Sequence, residues 1–258
     1  MLPGRGSAPR PVDLGSIEEP APRSEPLSRY GNPESYKIDG RVYYPLKSAK
    51  GFVERGIASW YGPDFHGKRT SSGEGYDMYR MTAAHRILPL PTFVEVRNLQ
   101  NGRRAIVRVN DRGPFKDNRV IDLSYVAALK LGIVGPGTGL VEVRAIDAAR
   151  PMLETVEPGS VPPPPGGAPG PAPSTEPGAM PVQFWLQVGA FRDLANAERA
   201  LGRVRRVVNG SVAIASADVQ GVRVHRVRVG PLTDIDESDR IVAALERDGW
   251  QGITVVTN

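Results

Sequence analysis

The middle of the chain carries polar side chains at points where regular hydrophobic patterning breaks off. Carboxylates together with an imidazole are groups that proteins use for proton transfer, so this set indicates acid–base chemistry. The polar side chains fall in five short segments, which are His66-Gly67, Ser72-Gly73-Glu74, Thr82-Ala83-Ala84-His85, Asn110-Asp111-Arg112-Gly113-Pro114 and Ile121-Asp122-Leu123-Ser124.

Asp111 is the best placed of these groups. It follows a predicted strand with the apolar residues Ile106, Val107 and Val109, so its position should be fixed. Burial of a carboxyl group raises its pKa, which suits a proton donor. Taken alone, Asp111 is better explained as a turn-forming aspartate that bonds the backbone of Arg112-Gly113-Pro114, and that alternative stays open on the residues by themselves.

Several reaction classes lack their sequence motifs. The chain has no Gly-rich phosphate loop followed by Lys-Ser/Thr, no His-Glu-x-x-His and no Gly-x-Ser-x-Gly. It also has no cysteine and three histidines, His66, His85 and His225, which argues against a structural zinc site. We therefore expect no metal and no cofactor.

Strand patterns dominate residues 36–148. A hairpin is predicted for residues 36–45, with Asp39-Gly40 at its turn. Residues 123–132 are an exception, because Ser124 can cap a helix and Gly132 can end it. The remaining elements indicate a mainly β domain with polar segments at strand ends. Its other predicted strands, rich in β-branched or aromatic residues, are 56–62, 93–99, 104–109 and 140–146.

Composition divides the rest of the chain into three parts. Residues 1–35 mix proline, glycine, serine and charge without periodicity, so we expect them to be disordered. Residues 149–181 include four consecutive prolines and predict an extended linker. In residues 182–258 the elements run strand, helix, strand, strand, helix, strand, the order of a ferredoxin-like sandwich. The fold class predicted is mainly β plus α+β.

The formal net charge of +5 is compatible with an anionic partner or with a solvated basic surface. RNA-binding modules share the strand order of residues 182–258. The segment lacks their aromatic RNP1 pattern, however, so we expect no nucleic-acid partner.

Motifs of the middle domain resemble those of the rare lipoprotein A (RlpA) family, in the same order along the chain. This resemblance covers roughly residues 42–146 and implies a six-stranded double-psi β-barrel, similar to that of expansins and of some lytic transglycosylases. The motifs are Ala58-Ser59-Trp60-Tyr61-Gly62, Phe65-His66-Gly67, Thr70 with Gly73-Glu74, Thr82-Ala83-Ala84-His85 with Leu88-Pro89, and Asn110-Asp111-Arg112-Gly113-Pro114-Phe115 with Ile121-Asp122-Leu123-Ser124.

The C-terminal segment resembles the SPOR domain that is often joined to that barrel. The matching residues are Gln187-Val188-Gly189-Ala190-Phe191 and the stretch from Val224 to Leu232. SPOR domains bind glycan strands that lack stem peptides, which are abundant at division septa. The resemblance therefore implies a peptidoglycan-binding module at residues 182–258.

Carried over by motif, the catalytic group of the family falls on Glu74, His85 and Asp111. The resemblance implies that Asp111 is the acid–base residue, whereas Glu74 and His85 position the sugar or tune Asp111. Without it, Glu74 fits a solvated loop carboxylate and His85 a helix-end cap. Asp122 is interpreted as structural.

Sugar faces stack on aromatic rings, and planar polar side chains bond to sugar hydroxyls. The candidates for substrate binding are therefore Trp60 and Tyr61 in the barrel, and Gln187, Arg226 and Arg228 in the SPOR sheet. Trp60 fits a core anchor equally well, and alternate arginines are also typical of a solvated strand face.

The resemblance implies an endolytic lytic transglycosylase that acts on denuded glycan strands and produces 1,6-anhydromuramyl ends. The alternative is a non-enzymatic, expansin-like protein that binds or loosens the wall. We expect a monomer in the periplasm or cell envelope, at the division septum. The lipid-bearing cysteine of the family is absent, so an outer-membrane anchor is expected only for a longer precursor.

Overall fold

A barrel of six strands occupies the middle of the chain, as the sequence predicts. The computed structural model describes Arg10, residues 12–147 and residues 182–257, so the predicted linker 149–181 lies outside the described residues. The barrel strands are β3 (Val53–Trp60), β4 (Thr82–His85), β5 (Thr92–Asn98), β6 (Arg104–Asp111), β7 (Arg119–Leu123) and β8 (Gly139–Ala145), preceded by a hairpin of β1 (Tyr36–Ile38) and β2 (Arg41–Tyr43).

The barrel closes in the order β3-β7-β4-β6-β5-β8. Two of its pairs, β3 with β7 and β4 with β6, are parallel, and the others are antiparallel. Alternation builds the core, since Ala105, Val107 and Val109 of β6 are buried while Ile106 and Arg108 between them are partly exposed. These features confirm the six-stranded barrel.

Turn and cap chemistry agrees with the sequence at two points. Asp39 and Gly40 adopt φ values of 48° and 83° between β1 and β2, as a tight hairpin turn requires. The Ser124 side chain accepts a hydrogen bond from the Ala127 N–H at the start of α1 (Tyr125–Lys130). The turn fixes the hairpin that precedes the barrel, and the cap fixes the start of the helix that follows β7.

The segment before β1 differs from its prediction. Disorder was expected for residues 1–35, whereas residues 12–35 run along the barrel and include a 3-10 turn at Leu14–Ser16. Val12 and Ile17 pack against the barrel core, and the Ser28 N–H donates to the Leu90 carbonyl at 2.8 Å. Isolated contacts of this kind leave no periodic hydrophobic pattern in the sequence, because the segment packs on the core of the barrel and does not form a core of its own.

The C-terminal domain is an α+β sandwich, as predicted. Its sheet has the order β10-β11-β9-β12, and both helices pack on one face of it through Val204, Val242 and Leu245. The elements are β9 (Phe184–Phe191), α2 (Leu194–Val207), β10 (Val212–Val219), β11 (Val222–Leu232), α3 (Ile235–Arg247) and β12 (Thr254–Thr257).

The two domains contact each other through several hydrogen bonds and a small apolar patch. Asp239 of α3 accepts hydrogen bonds from Lys116 Nζ at 3.1 Å, Asn118 Nδ2 at 2.5 Å and Arg119 Nη2 at 2.5 Å. Ile57 and Leu140 of the barrel belong to the same packed cluster as the C-terminal core. The outer wall formed by β3 and β8 therefore rests on the second domain.

Candidate active site

Asp111 ends β6 and is fixed by three donors. Its Oδ1 accepts from the Ser71 N–H at 2.8 Å, the Ser71 hydroxyl at 2.6 Å and the Arg112 N–H at 2.7 Å. Only the last of these belongs to the local turn that the sequence left as an alternative. All three of these bonds end on Oδ1.

A second carboxylate, Asp122, lies across one strand from Asp111. Ala84 of β4 pairs with Asp111 on one side and with Asp122 on the other. Burial raises the pKa of Asp122, and the charge of Asp111 adds to that effect; the Ser59 hydroxyl, which donates to Asp122, acts against it. The barrel thus places two carboxyl groups around one alanine, with one of them inclined to hold a proton.

Tyr61 brings a phenol hydroxyl to this pair. Its N–H donates to the Leu123 carbonyl at 3.0 Å, and its ring contacts Tyr76 at 5.1 Å. The hydroxyl is buried and has no hydrogen-bond partner among the described residues. Burial raises the pKa of Tyr61, and the charges of Asp111 and Asp122 raise it further, so the hydroxyl lies within their field and stays protonated.

Trp60, the neighbouring candidate, is placed differently. It is half-buried, packs against the barrel core and contacts the Tyr125 ring at 5.7 Å between centroids. These contacts fit the core-anchor interpretation that the sequence left open.

Glu74 is held as an ionised carboxylate beside the site. Arg108 Nη1 donates to both of its oxygens at 2.9 Å, and Asn110 Nδ2 donates at 2.9 Å. Burial raises its pKa, but the bonds from Asn110 and Arg108 outweigh burial and lower the pKa overall. Glu74 can therefore accept a hydrogen bond from a sugar, whereas proton donation near neutral pH is disfavoured.

His85 is fully buried, and both of its ring nitrogens are occupied. Nε2 lies 3.0 Å from Glu54 Oε2, and Nδ1 accepts from the N–H groups of Ile87 and Leu88 at 3.2 and 3.1 Å. Burial lowers its pKa against the opposing effect of Glu54, which favours a neutral ring with its proton on Nε2.

The His85 ring is therefore separated from Asp111 and Glu74 and is shielded from a substrate. Its bonds instead fix the turn whose Leu88 carbonyl accepts from Arg112 Nη1 at 2.5 Å. Arg112 directly follows Asp111 in the chain. The contacts of His85 therefore reach Asp111 only indirectly, through this turn and Arg112.

The three SPOR candidates share one region of the sheet. Gln187 of β9 pairs directly with Arg228 of β11, and Arg226 lies two residues before Arg228. The buried neighbours Leu186 and Val227 face the helices, so these polar side chains lie on the helix-free face. Burial lowers the pKa of Arg228, and the positive charge of Arg226 lowers it further. Arg228 Nε is buried without a hydrogen-bond partner among the described residues.

Sequence reasoning missed the part of the barrel site that comes from distant segments. Asp122 was interpreted as structural, Ser59 appeared only as part of a family motif, and Ser71 was not considered. Asp122 carried one usable signal, since it follows Val120 and Ile121 as Asp111 follows its own apolar strand. The serines carried none, because they meet the carboxylates only when the barrel closes.

Two features bear on cofactors and on membranes. Across residues 12–147 and 182–257, no group of three or more histidine, aspartate or glutamate side chains is arranged to hold a metal ion. Within the same residues, no helix has the length and apolar character needed to cross a membrane.

Comparison with known proteins follows the same division into two domains. The family described as "Lytic transglycolase" matches residues 53–145, and the SPOR domain family matches residues 181–255. A solved structure, the RlpA SPOR domain from Pseudomonas aeruginosa, is 31% identical and covers 29% of this chain and 99% of its own, with a TM-score of 0.28.

Two full-length relatives span both domains. The endolytic peptidoglycan transglycosylase RlpA of Vibrio cholerae is 36% identical over 247 residues, which cover 96% of this chain and 85% of that protein. The protein of the same name from Pseudomonas aeruginosa is 38% identical over 275 residues, covering 92% and 80% respectively. With a relative of this identity matched over most of both lengths, the chain belongs to the RlpA family.

Proposed function

We propose that this protein is an endolytic peptidoglycan lytic transglycosylase of the cell envelope. The observation that carries the proposal is the pair of carboxyl groups, Asp111 and Asp122, set around Ala84 with the Tyr61 hydroxyl in their field. Burial raises the pKa of Asp122, so the pair offers one carboxyl group inclined to hold a proton beside a second carboxyl group. Membership of the RlpA family supports the same assignment.

The reaction needs one proton transfer in each direction. Asp111 gives its proton to the leaving glycosidic oxygen as the bond from the muramyl C1 breaks. The carboxylate that results takes the proton of the muramyl 6-hydroxyl, whose oxygen bonds to C1 and closes the 1,6-anhydro ring. An oxocarbenium-like centre forms in between, and the nearby carboxylates stabilise its positive charge.

The finer features of the proposal concern substrate and place. Gln187, Arg226 and Arg228 give the SPOR sheet a polar, cationic face suited to glycan strands from which stem peptides have been removed. Such strands mark the division septum, and we propose that this face directs the barrel there. A lipid anchor on a longer precursor and a monomeric state belong to the same proposal.

Purified protein incubated with sacculi stripped of stem peptides provides the test. Mass spectrometry of the soluble products should find strands with 1,6-anhydro ends, and Asp111→Asn should abolish them. Asp39→Asn is the matched control, because Asp39 lies in the β1–β2 turn at φ 48°, which asparagine tolerates. Reducing ends would indicate hydrolysis, and protein that pellets with sacculi but releases nothing would refute cleavage in favour of binding alone.

A further inference from the structure

An open cleft lies beside Glu74, and part of its lining precedes the region that the family profiles cover. Its volume is about 1000 Å³, and Glu74, Arg108 and Asn110 of the barrel line one side of it. Residues 12–25, here called the N-terminal wall, contribute Val12, Ile17 and other lining residues to the opposite side. The cleft is thus formed jointly by the barrel and a segment that precedes it.

The N-terminal wall is attached at several separate points. Ile17 and Val12 pack on the barrel core, and Glu19 pairs with Lys130 at 2.7 Å. Farther along, Glu25 pairs with Arg108 at 2.8 Å. Arg108 also holds Glu74, so one guanidinium joins the wall to a predicted catalytic residue.

The wall leaves the cleft open. The Glu74 side chain keeps 42% of its exposure, although the wall runs close by. The lining includes four arginines and five carboxylates, so the cleft is rich in hydrogen-bonding groups and carries little net charge. This balance suits a polyhydroxylated chain with sparse charge and disfavours a densely anionic polymer such as a nucleic acid.

We propose that the N-terminal wall is part of the glycan-binding site and holds the sugars of the strand that lie beyond Glu74 from Asp111. This inference rests on the proposed function. The contacts of the wall bind ground state and transition state alike, so the wall should govern KM more than kcat.

Ile17→Ser in the full chain is the variant that tests the wall. Ile17 is only partly buried and lies outside the barrel strands, so its loss should free the wall locally while Tm stays close to wild type. We expect faster tryptic cleavage after Arg23 and a KM about fivefold higher on stripped sacculi, with kcat nearly unchanged. Leu27→Ser is the matched control, since Leu27 lies outside the wall and is 59% exposed.

Two results would overturn the proposal. If turnover rises when the wall is released, the wall obstructs substrate binding. If KM stays unchanged when the wall is released, the wall is not part of the glycan-binding site. Hydrogen exchange separates this question from that of catalysis. Soluble glycan fragments should protect residues 12–25 even if the chain cleaves nothing, and protection confined to residues 182–257 would count against the wall.

Discussion

Charged side chains have different surroundings in the barrel site and on the helix-free face of the SPOR sheet. In the barrel, Asp111 receives three donors and Glu74 is held by Arg108 and Asn110. On the sheet, Arg226 and Arg228 lie two residues apart, and neither forms a salt bridge among the described residues. Groups fixed by neighbours suit a reaction, whereas unpaired cations remain available for a ligand.

Asp111→Asn provides the largest expected separation between the two regions. The amide keeps the shape of the side chain but can neither give nor take the proton, so the rate at which soluble strands are cleaved from sacculi should fall at least about 100-fold. Cosedimentation with sacculi should remain at the wild-type level, because the SPOR face is untouched. Loss of both properties in the variant would show that the two regions do not act separately.

Tyr61→Phe tests whether the unpartnered hydroxyl serves the two carboxyl groups. Removal of a buried hydroxyl that bonds to nothing in the free protein should leave Tm unchanged or slightly higher. Loss of the hydroxyl dipole in the field of Asp111 and Asp122 should nevertheless lower kcat/KM about tenfold. Tyr44→Phe is the matched control, since Tyr44 is 68% exposed. A destabilised variant, or one with full activity, would assign Tyr61 to packing.

Arg228→Gln should produce a smaller effect, confined to the sheet. Removal of one cation from the face should weaken binding to stripped sacculi about fivefold at low salt, with less difference at high salt because ions screen the interaction. Turnover of soluble strands should not change. Arg206→Gln, on the exposed side of α2, is the control. Equal losses in both variants would point to net charge alone and not to this face.

The same contrast explains how far sequence could predict each region. On the sheet, strand alternation places Arg226 and Arg228 on one face and is visible in a few consecutive residues, although the pairing of Arg228 with Gln187 depends on strand order. In the barrel, Ser71 reaches Asp111 across 40 positions, and Ser59 reaches Asp122 across 63. Contacts of this range depend on barrel closure and strand order, which hydrophobic patterning leaves undetermined.

Family motifs pointed to candidate site residues that hydrophobic patterning could not identify. They selected Glu74 and Asp111, which lie at or beside the Asp111–Asp122 pair, and they also selected His85, whose ring faces away from it. A motif marks positions that the fold or the chemistry requires and does not separate the two. The ordered path of residues 12–35 escaped both kinds of reasoning, because its contacts are single residues resting on another domain's core.

Asp122→Asn should give the smallest effect, which is a change in how Tm depends on pH. The folded-state pKa of Asp122 is raised above its unfolded value, so the native protein binds this proton more tightly. The stability that this proton contributes is complete below the unfolded pKa and is lost as pH rises through the folded pKa. Asparagine resembles the protonated form at every pH and avoids that loss.

The variant should therefore match wild-type Tm under acidic conditions and exceed it by a few degrees near pH 8, while its activity falls. Thermal unfolding from pH 4 to 8 measures the difference. Asp39→Asn, at an exposed turn, is the matched control. A Tm difference that stays constant across the range would contradict a raised pKa of Asp122 in the folded protein.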